Sequence, residues 1–282
     1  MPLSSITLDL AFSSSQQVTM ADDGLGAINV LYEPDHHDFD VVAIHGLNGD
    51  YLKSWTHADS TLWLRDMLPG KLAGARVMSF SYDASTSGGV VYAVREIAKQ
   101  LLSELRDARE DAGSEGTPIV FVCHSLGGIV LKQALALADD GKAYSDVAES
   151  TKGIVFFGTP HRGSNVANFM GTVSDIVQAV TARPESKLLH ALESNSTDLY
   201  KVSTDFRPLA SRYAITSFYE SNEHPVLRKM VVGKMSAVMG LPNEEDVMMN
   251  GDHSTICKFG KWDRRFNSAW RAIKRMEKGV QS

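Results

Sequence analysis

The chain has 282 residues, 43% hydrophobic and 22% charged, enough to bury one large core, so a single domain over residues 1–282 is expected. A formal net charge of −6 argues against a nucleic-acid partner, which calls for a basic stripe, and no apolar run approaches the roughly 18 residues that span a bilayer. Two cysteines, Cys123 and Cys257, exclude a disulfide framework; with no basic and apolar leader after Met1, the chain reads as intracellular and cytoplasmic.

Residues 1–20 are rich in serine and carry no clear pattern. From Gly24 to Tyr32 apolar residues alternate, as in a strand, and Asp40-Val41-Val42-Ala43-Ile44 reads as a strand buried on both faces. That strand runs into His45-Gly46-Leu47-Asn48-Gly49, a glycine-punctuated loop. Trp55, Trp63, Leu64, Met67 and Leu68 suggest a short amphipathic helix ending at Pro69-Gly70, and a strand follows over Arg76 to Tyr82. Val94, Ile97, Leu101, Leu102 and Leu105 recur at helical spacing within 90–109. Pro118 then opens the apolar run Ile119 to Cys123, which meets His124-Ser125-Leu126-Gly127-Gly128 and a helix from Ile129.

A further strand, 152–158, exits through Thr159-Pro160-His161-Arg162-Gly163-Ser164. Helical spacing fills 165–211, first through Val166, Phe169, Met170, Val173, Ile176, Val177 and Val180, then through Leu188, Leu189, Leu192, Leu199, Val202, Phe206 and Leu209. This stretch is either sheet cover or a helical cap whose Phe169, Met170 and Val173 line an apolar acyl pocket. Strands are expected at Tyr213 to Tyr219, ending on Glu220, at Val231-Val232, and at 247–253, ending on His253; Pro242 to Asp246 reads as an acidic turn. The basic amphipathic helix Arg264 to Lys278 has an apolar face that packs on the sheet or touches a membrane peripherally. The alternation of strands and helices predicts an α/β fold, a mostly parallel sheet with helices on both faces.

The strand-to-helix reversal at Ser125 leaves about three residues for the bend. It drives the serine toward positive φ, at a cost of about 1–3 kcal/mol, and lifts Oγ above the sheet edge. Such a nucleophile elbow defines the α/β-hydrolase fold, although Cys123 stands where that pattern has its first glycine. Ser125, Glu220 and His253 occur in the serine, acid, histidine order of that fold. His253 would take the hydroxyl proton, and Glu220 would hold the imidazole. Glu244, Glu245 and Asp246 compete for the acid role, Asp205 less so. Backbone N–H groups of Leu47, Asn48 and Leu126 are the oxyanion donors expected, and His45, His124 and His161 shape loops on the same side. The chemistry requires no cofactor, and the histidines show no metal-ligand spacing.

The blocks around His45, Ser125, Thr159, Glu220 and His253, the last reading Asp252-His253-Ser254-Thr255-Ile256-Cys257-Lys258-Phe259, together resemble one group. It is the lipase-like serine esterases related to the serine-active-site-containing protein and the GPI inositol-deacylases, of the type found alone or ahead of NACHT modules in fungal proteins. The resemblance runs over residues 24–260 and implies a serine hydrolase of lipid or other apolar acyl esters, working through an acyl-enzyme. Two other uses of the same residues are acyl transfer to an alcohol, and a signalling or interaction domain that keeps the fold.

Overall fold

The computed structural model describes residues 26–85, 90–163, 165–181 and 196–278. Among them, seven strands form one sheet: β1 (Ala27–Tyr32), β2 (Phe39–Ile44), β3 (Ala75–Ser81), β4 (Ile119–His124), β5 (Thr151–Phe157), β6 (Ala214–Glu220) and β7 (Glu244–Met249). Their spatial order is β1-β3-β2-β4-β5-β6-β7, with β1 antiparallel to β3 and every other pairing parallel. This is the α/β-hydrolase arrangement, with β4 at its centre.

The apolar runs lack alternation because both faces of each strand are covered. Val42, Ile44, Phe121, Cys123, Ile154 and Phe156 point into one core layer, and Val41, Ala43, Val120, Val122, Val155 and Phe157 into the other. Three helices on the first face are α2 (Val90–Asp111), α3 (Gly127–Asp140) and, after the short α4 (Ser145–Ser150), α5 (Val166–Val180). They are joined there by α6 (Ser196–Ala210). On the second face the last helix buries Phe266, Ala269, Ala272, Ile273 and Met276 beside Trp63 and Phe259. Packing on the sheet therefore uses the apolar face that would have served membrane contact. Among the described residues no helix is long and apolar enough to cross a membrane.

Several elements differ from the sequence expectation. Trp55 and Trp63 sit in two separate short turns of helix, Lys53–Trp55 and α1 (Trp63–Asp66), with a tight turn between them closed by a bridge from Thr56 to Leu62. The acidic stretch Glu244 to Asp246 opens β7 and is not a turn, because it pairs with Ile215, Thr216 and Ser217 of β6. Val231 and Val232 form no strand; their N–H groups turn toward a carboxylate instead of a neighbouring strand. After β6 the chain forms the single turn α7 (Lys234–Ala237), and the closing helix α8 is Phe266–Met276. Residues 1–20 and the apolar positions Leu188, Leu189 and Leu192 lie outside the described residues.

Charge is buried at the end of the sheet away from Ser125. Asp40 accepts from Arg76 Nε at 2.8 Å, from His37 Nε2 at 2.9 Å and from Arg109, and Arg76 also donates to Ser114 Oγ at 2.8 Å. Removing the single carboxylate would leave two buried guanidinium groups facing each other. Asp40→Asn is expected to destabilise the fold by about 3–5 kcal/mol, read as a lower urea midpoint.

Candidate active site

The bend between β4 and α3 is as sharp as the sequence requires. Ser125 has φ 54°, its N–H donates to Phe157 O at 2.9 Å, and its carbonyl accepts from Thr159 Oγ1 at 3.0 Å. α3 begins two residues later, pressed against the exit of β2: a Cβ on Gly127 would sit 2.2 Å from His45 O and 2.5 Å from Ile44 O. On the other side, a Cβ on Gly46 would fall 2.7 Å from Ser125 Cβ. Both glycines are thus required by close approach, and Cys123, wholly buried, fits the place of the pattern's first glycine.

Ser125 Oγ lies 2.9 Å from His253 Nε2, and His253 Nδ1 lies 3.3 Å from Glu220 Oε1. All three side chains are buried. His253 does not end a strand: β7 stops at Met249, and the ring is carried by a turn past Gly251. Glu220, the last residue of β6, has its other contacts on the backbone. Val231 N–H donates to Oε2 at 3.0 Å and Val232 N–H to Oε1 at 2.6 Å.

The competing acids are engaged elsewhere. Glu244 accepts from Ser217 Oγ and from the N–H groups of Met239, Gly240 and Leu241. Glu245 pairs with Arg275, Asp246 pairs with Lys234, and Asp205 is exposed on α6. The two backbone donors that cradle Glu220 were not legible beforehand, because a main-chain N–H leaves no mark on residue type.

The loop after β2 faces the elbow. Asn48 takes φ 53°, spends its N–H on Ala84 O at 2.7 Å, and donates from Nδ2 to Val180 O at 3.1 Å. The N–H groups of Leu47 and Leu126 have no partner among the described residues. His45 is buried, stacks on Tyr82 at 4.2 Å and receives the Tyr82 hydroxyl on its carbonyl at 2.5 Å. Tyr82 was not singled out in the sequence, where it reads only as the end of an apolar strand. Of the expected pocket residues, Phe169 and Val173 are fully buried in the core, with Phe169 edge-on to Tyr200 at 5.7 Å. Met170 is half-buried.

Burial pushes the His45 ring down to about 4, and it holds His161, whose two ring nitrogens lack partners among the described residues, well below the usual histidine value. Both rings are neutral when folded, whereas the unfolded chain takes up protons near the ordinary value of about 6.5. The unfolded state then binds more protons below about pH 6.5, so stability is full above that point and falls as pH drops toward 4. Thermal unfolding should shift to lower temperature on acidification through this window, and His161→Leu should make the shift shallower in calorimetry.

Comparison with known proteins places the chain in a family. Residues 35–183, more than half of the chain, match the family model described as "Putative serine esterase (DUF676)". Protein SERAC1 of Danio rerio is 26% identical over 248 residues, 79% of this chain and 37% of that protein. Protein SERAC1 of Homo sapiens is 27% identical over 250 residues, covering 79% and 36%. The chain thus spans little more than a third of the length of these curated relatives. Among solved structures, the Bacillus licheniformis lipase BlEst2 aligns with a TM-score of 0.59 at 17% identity, over 90% of this chain and 99% of that one. The thermophilic carboxylesterase EstE1 from a metagenomic library aligns with a TM-score of 0.53 at 15% identity, over 90% and 84%. These two likenesses concern the fold. The chain belongs to the DUF676 serine esterase family and is an esterase-type hydrolase of the α/β-hydrolase fold.

Proposed function

We propose that the chain hydrolyses carboxylic esters with an apolar acyl group, a lipid ester among them, with Ser125 as nucleophile, His253 as general base and Glu220 as its partner. The observation that carries this reading is the unbroken line of contacts from Glu220 through His253 to Ser125, at 3.3 and 2.9 Å, in a buried site. Ser125 Oγ attacks the ester carbonyl carbon while its proton passes to His253 Nε2. Glu220 accepts the Nδ1–H and stabilises the imidazolium; held by two backbone N–H groups, it needs no rearrangement as that charge appears.

The negative charge gathered on the carbonyl oxygen needs donors near Ser125. The unpartnered N–H groups of Leu47 and Leu126 fill that role, and Asn48, its own N–H bound to Ala84, holds the loop. The tetrahedral adduct collapses as His253 returns its proton to the departing alcohol, and water activated by the same imidazole then releases the acid from the acyl-enzyme.

α5 forms the cap in this reading, whereas α6 packs beside α3 as sheet cover, with Lys132 Nζ donating to Ser203 Oγ at 2.7 Å. The support is the Asn48 bond to Val180 O, which brings the last turn of α5 to the loop beside the nucleophile. Met170 offers the half-buried surface an acyl chain can meet, while Phe169 and Val173 hold the helix from behind. Residues 165–211 would then be an insertion in a single hydrolase domain.

A fluorophosphonate probe followed by mass spectrometry tests the assignment, and labelling is expected at Ser125 and lost in Ser125→Ala. Ser125→Ala and His253→Ala should each lower p-nitrophenyl ester hydrolysis on the order of 10⁶-fold, with no further loss in the double variant; additive losses would count against a coupled unit. Glu220→Gln should slow hydrolysis far more than Glu245→Gln, and the reverse ranking would move the acid to β7.

A further inference from the structure

We propose that His124 is a positioning residue for the catalytic base, holding the turn that carries His253 against the strand that carries Ser125. This rests on the assignment of Ser125 and His253 given above. His253 stands outside the sheet, in a turn closed by the Asp252 carboxylate on the Ser254 and Thr255 N–H groups. Such a turn fixes its own shape; it does not fix its distance from β4.

Besides the Oγ–Nε2 contact itself and the bonds from the Ser221 and Asn222 N–H groups to Gly251 O, the turn is tied to β4, across 129 residues of sequence, by a bond from His124 Nε2 to His253 O at 2.8 Å. A carbonyl oxygen only accepts, so Nε2 carries the hydrogen and the His124 tautomer is determined. The two rings lie 5.1 Å apart and tilted by 39°. Gly158 also crowds the His253 ring, since a Cβ there would come within 3.1 Å of Nδ1. The imidazole is therefore closely bordered by the β5 exit as well as by the His124 ring.

Two properties suit His124 to this place. It is the residue next to Ser125, so whatever moves the nucleophile strand moves the anchor of the base with it. It also stays neutral: burial, and then the neighbouring His253, hold its pKa below the ordinary histidine value. A cation 5.1 Å from His253 would oppose the imidazolium formed during attack.

The test compares His124→Gln, His124→Asn and His124→Phe in the full chain. The glutamine amide nitrogen reaches the place of Nε2, whereas the asparagine amide is too short and phenylalanine keeps ring volume without a donor. With asparagine and phenylalanine, kcat should fall by about 10²-fold with KM little changed, because the base is misplaced and not the substrate. With glutamine, kcat should return to within about tenfold of wild type. Fluorophosphonate labelling of Ser125 should slow in the same order, while melting temperatures fail to follow it. Wild-type kcat in His124→Asn, no rescue by glutamine, or losses that track melting temperature would each overturn the positioning role while leaving the nucleophile assignment intact. Absence of labelling in wild-type protein would remove the assignment and this role together.

Discussion

A non-glycine residue at φ 54° is the constraint on which the site depends. The strained conformation of Ser125 persists because the surroundings leave no alternative: its N–H is taken by β5, its carbonyl by Thr159, and α3 is wedged against the carbonyls of Ile44 and His45. Relaxing the serine would require moving that helix off the sheet, which would open the largest core layer. The strain is thus balanced by burial elsewhere, and the consequence is a hydroxyl lifted off the sheet edge and facing His253. Gly46, with no room for a Cβ beside Ser125 Cβ, brings the β2 loop into the same small volume.

Charge is handled oppositely at the two ends of the sheet. Where the strands begin, Asp40 is buried among two arginines and a histidine, and the ions satisfy one another. Where the strands end, the groups around Ser125 include a buried carboxylate held by main-chain N–H groups and the rings of His45 and His124, which desolvation holds below the usual histidine value. The first arrangement fixes shape and tolerates no titration. The second sets the His253 ring between a carboxylate and a serine hydroxyl, the placing that the proposed base would need.

Much of this was legible in the sequence because the signals were local or periodic. Unbroken apolar runs marked the strands buried on both faces, and the proline-to-glycine frame around Ser125 marked the elbow. Chain order pointed to Glu220 and His253, which the structure brings within contact of each other and of Ser125. What escaped was carried by backbone geometry. Val231 and Val232 look like a strand because they are β-branched, yet their N–H groups serve a carboxylate. Glu244 to Asp246 look like a wet turn because they are acidic, yet edge pairing with β6 makes them a strand whose side chains find partners one by one. Asn48 reads as a donor to substrate from its place after the His-Gly pair, but a left-handed backbone turns its N–H to Ala84.

That same asparagine ties together parts of the molecule that sequence separates widely. Its side chain reaches the carbonyl of Val180 at 3.1 Å, in the final turn of α5, while its main chain is fixed to the exit of β3. A rigid shift of α5 by more than about 0.5 Å would take that contact beyond hydrogen-bonding distance or pull the loop along with it. The free N–H of Leu47 is one peptide unit away, so it cannot stay still if Asn48 is pulled. The helix that would border an acyl chain and the loop that would meet the carbonyl oxygen are therefore tied by one bond, through which, in the proposed hydrolase, the seating of the tail would bear on the head.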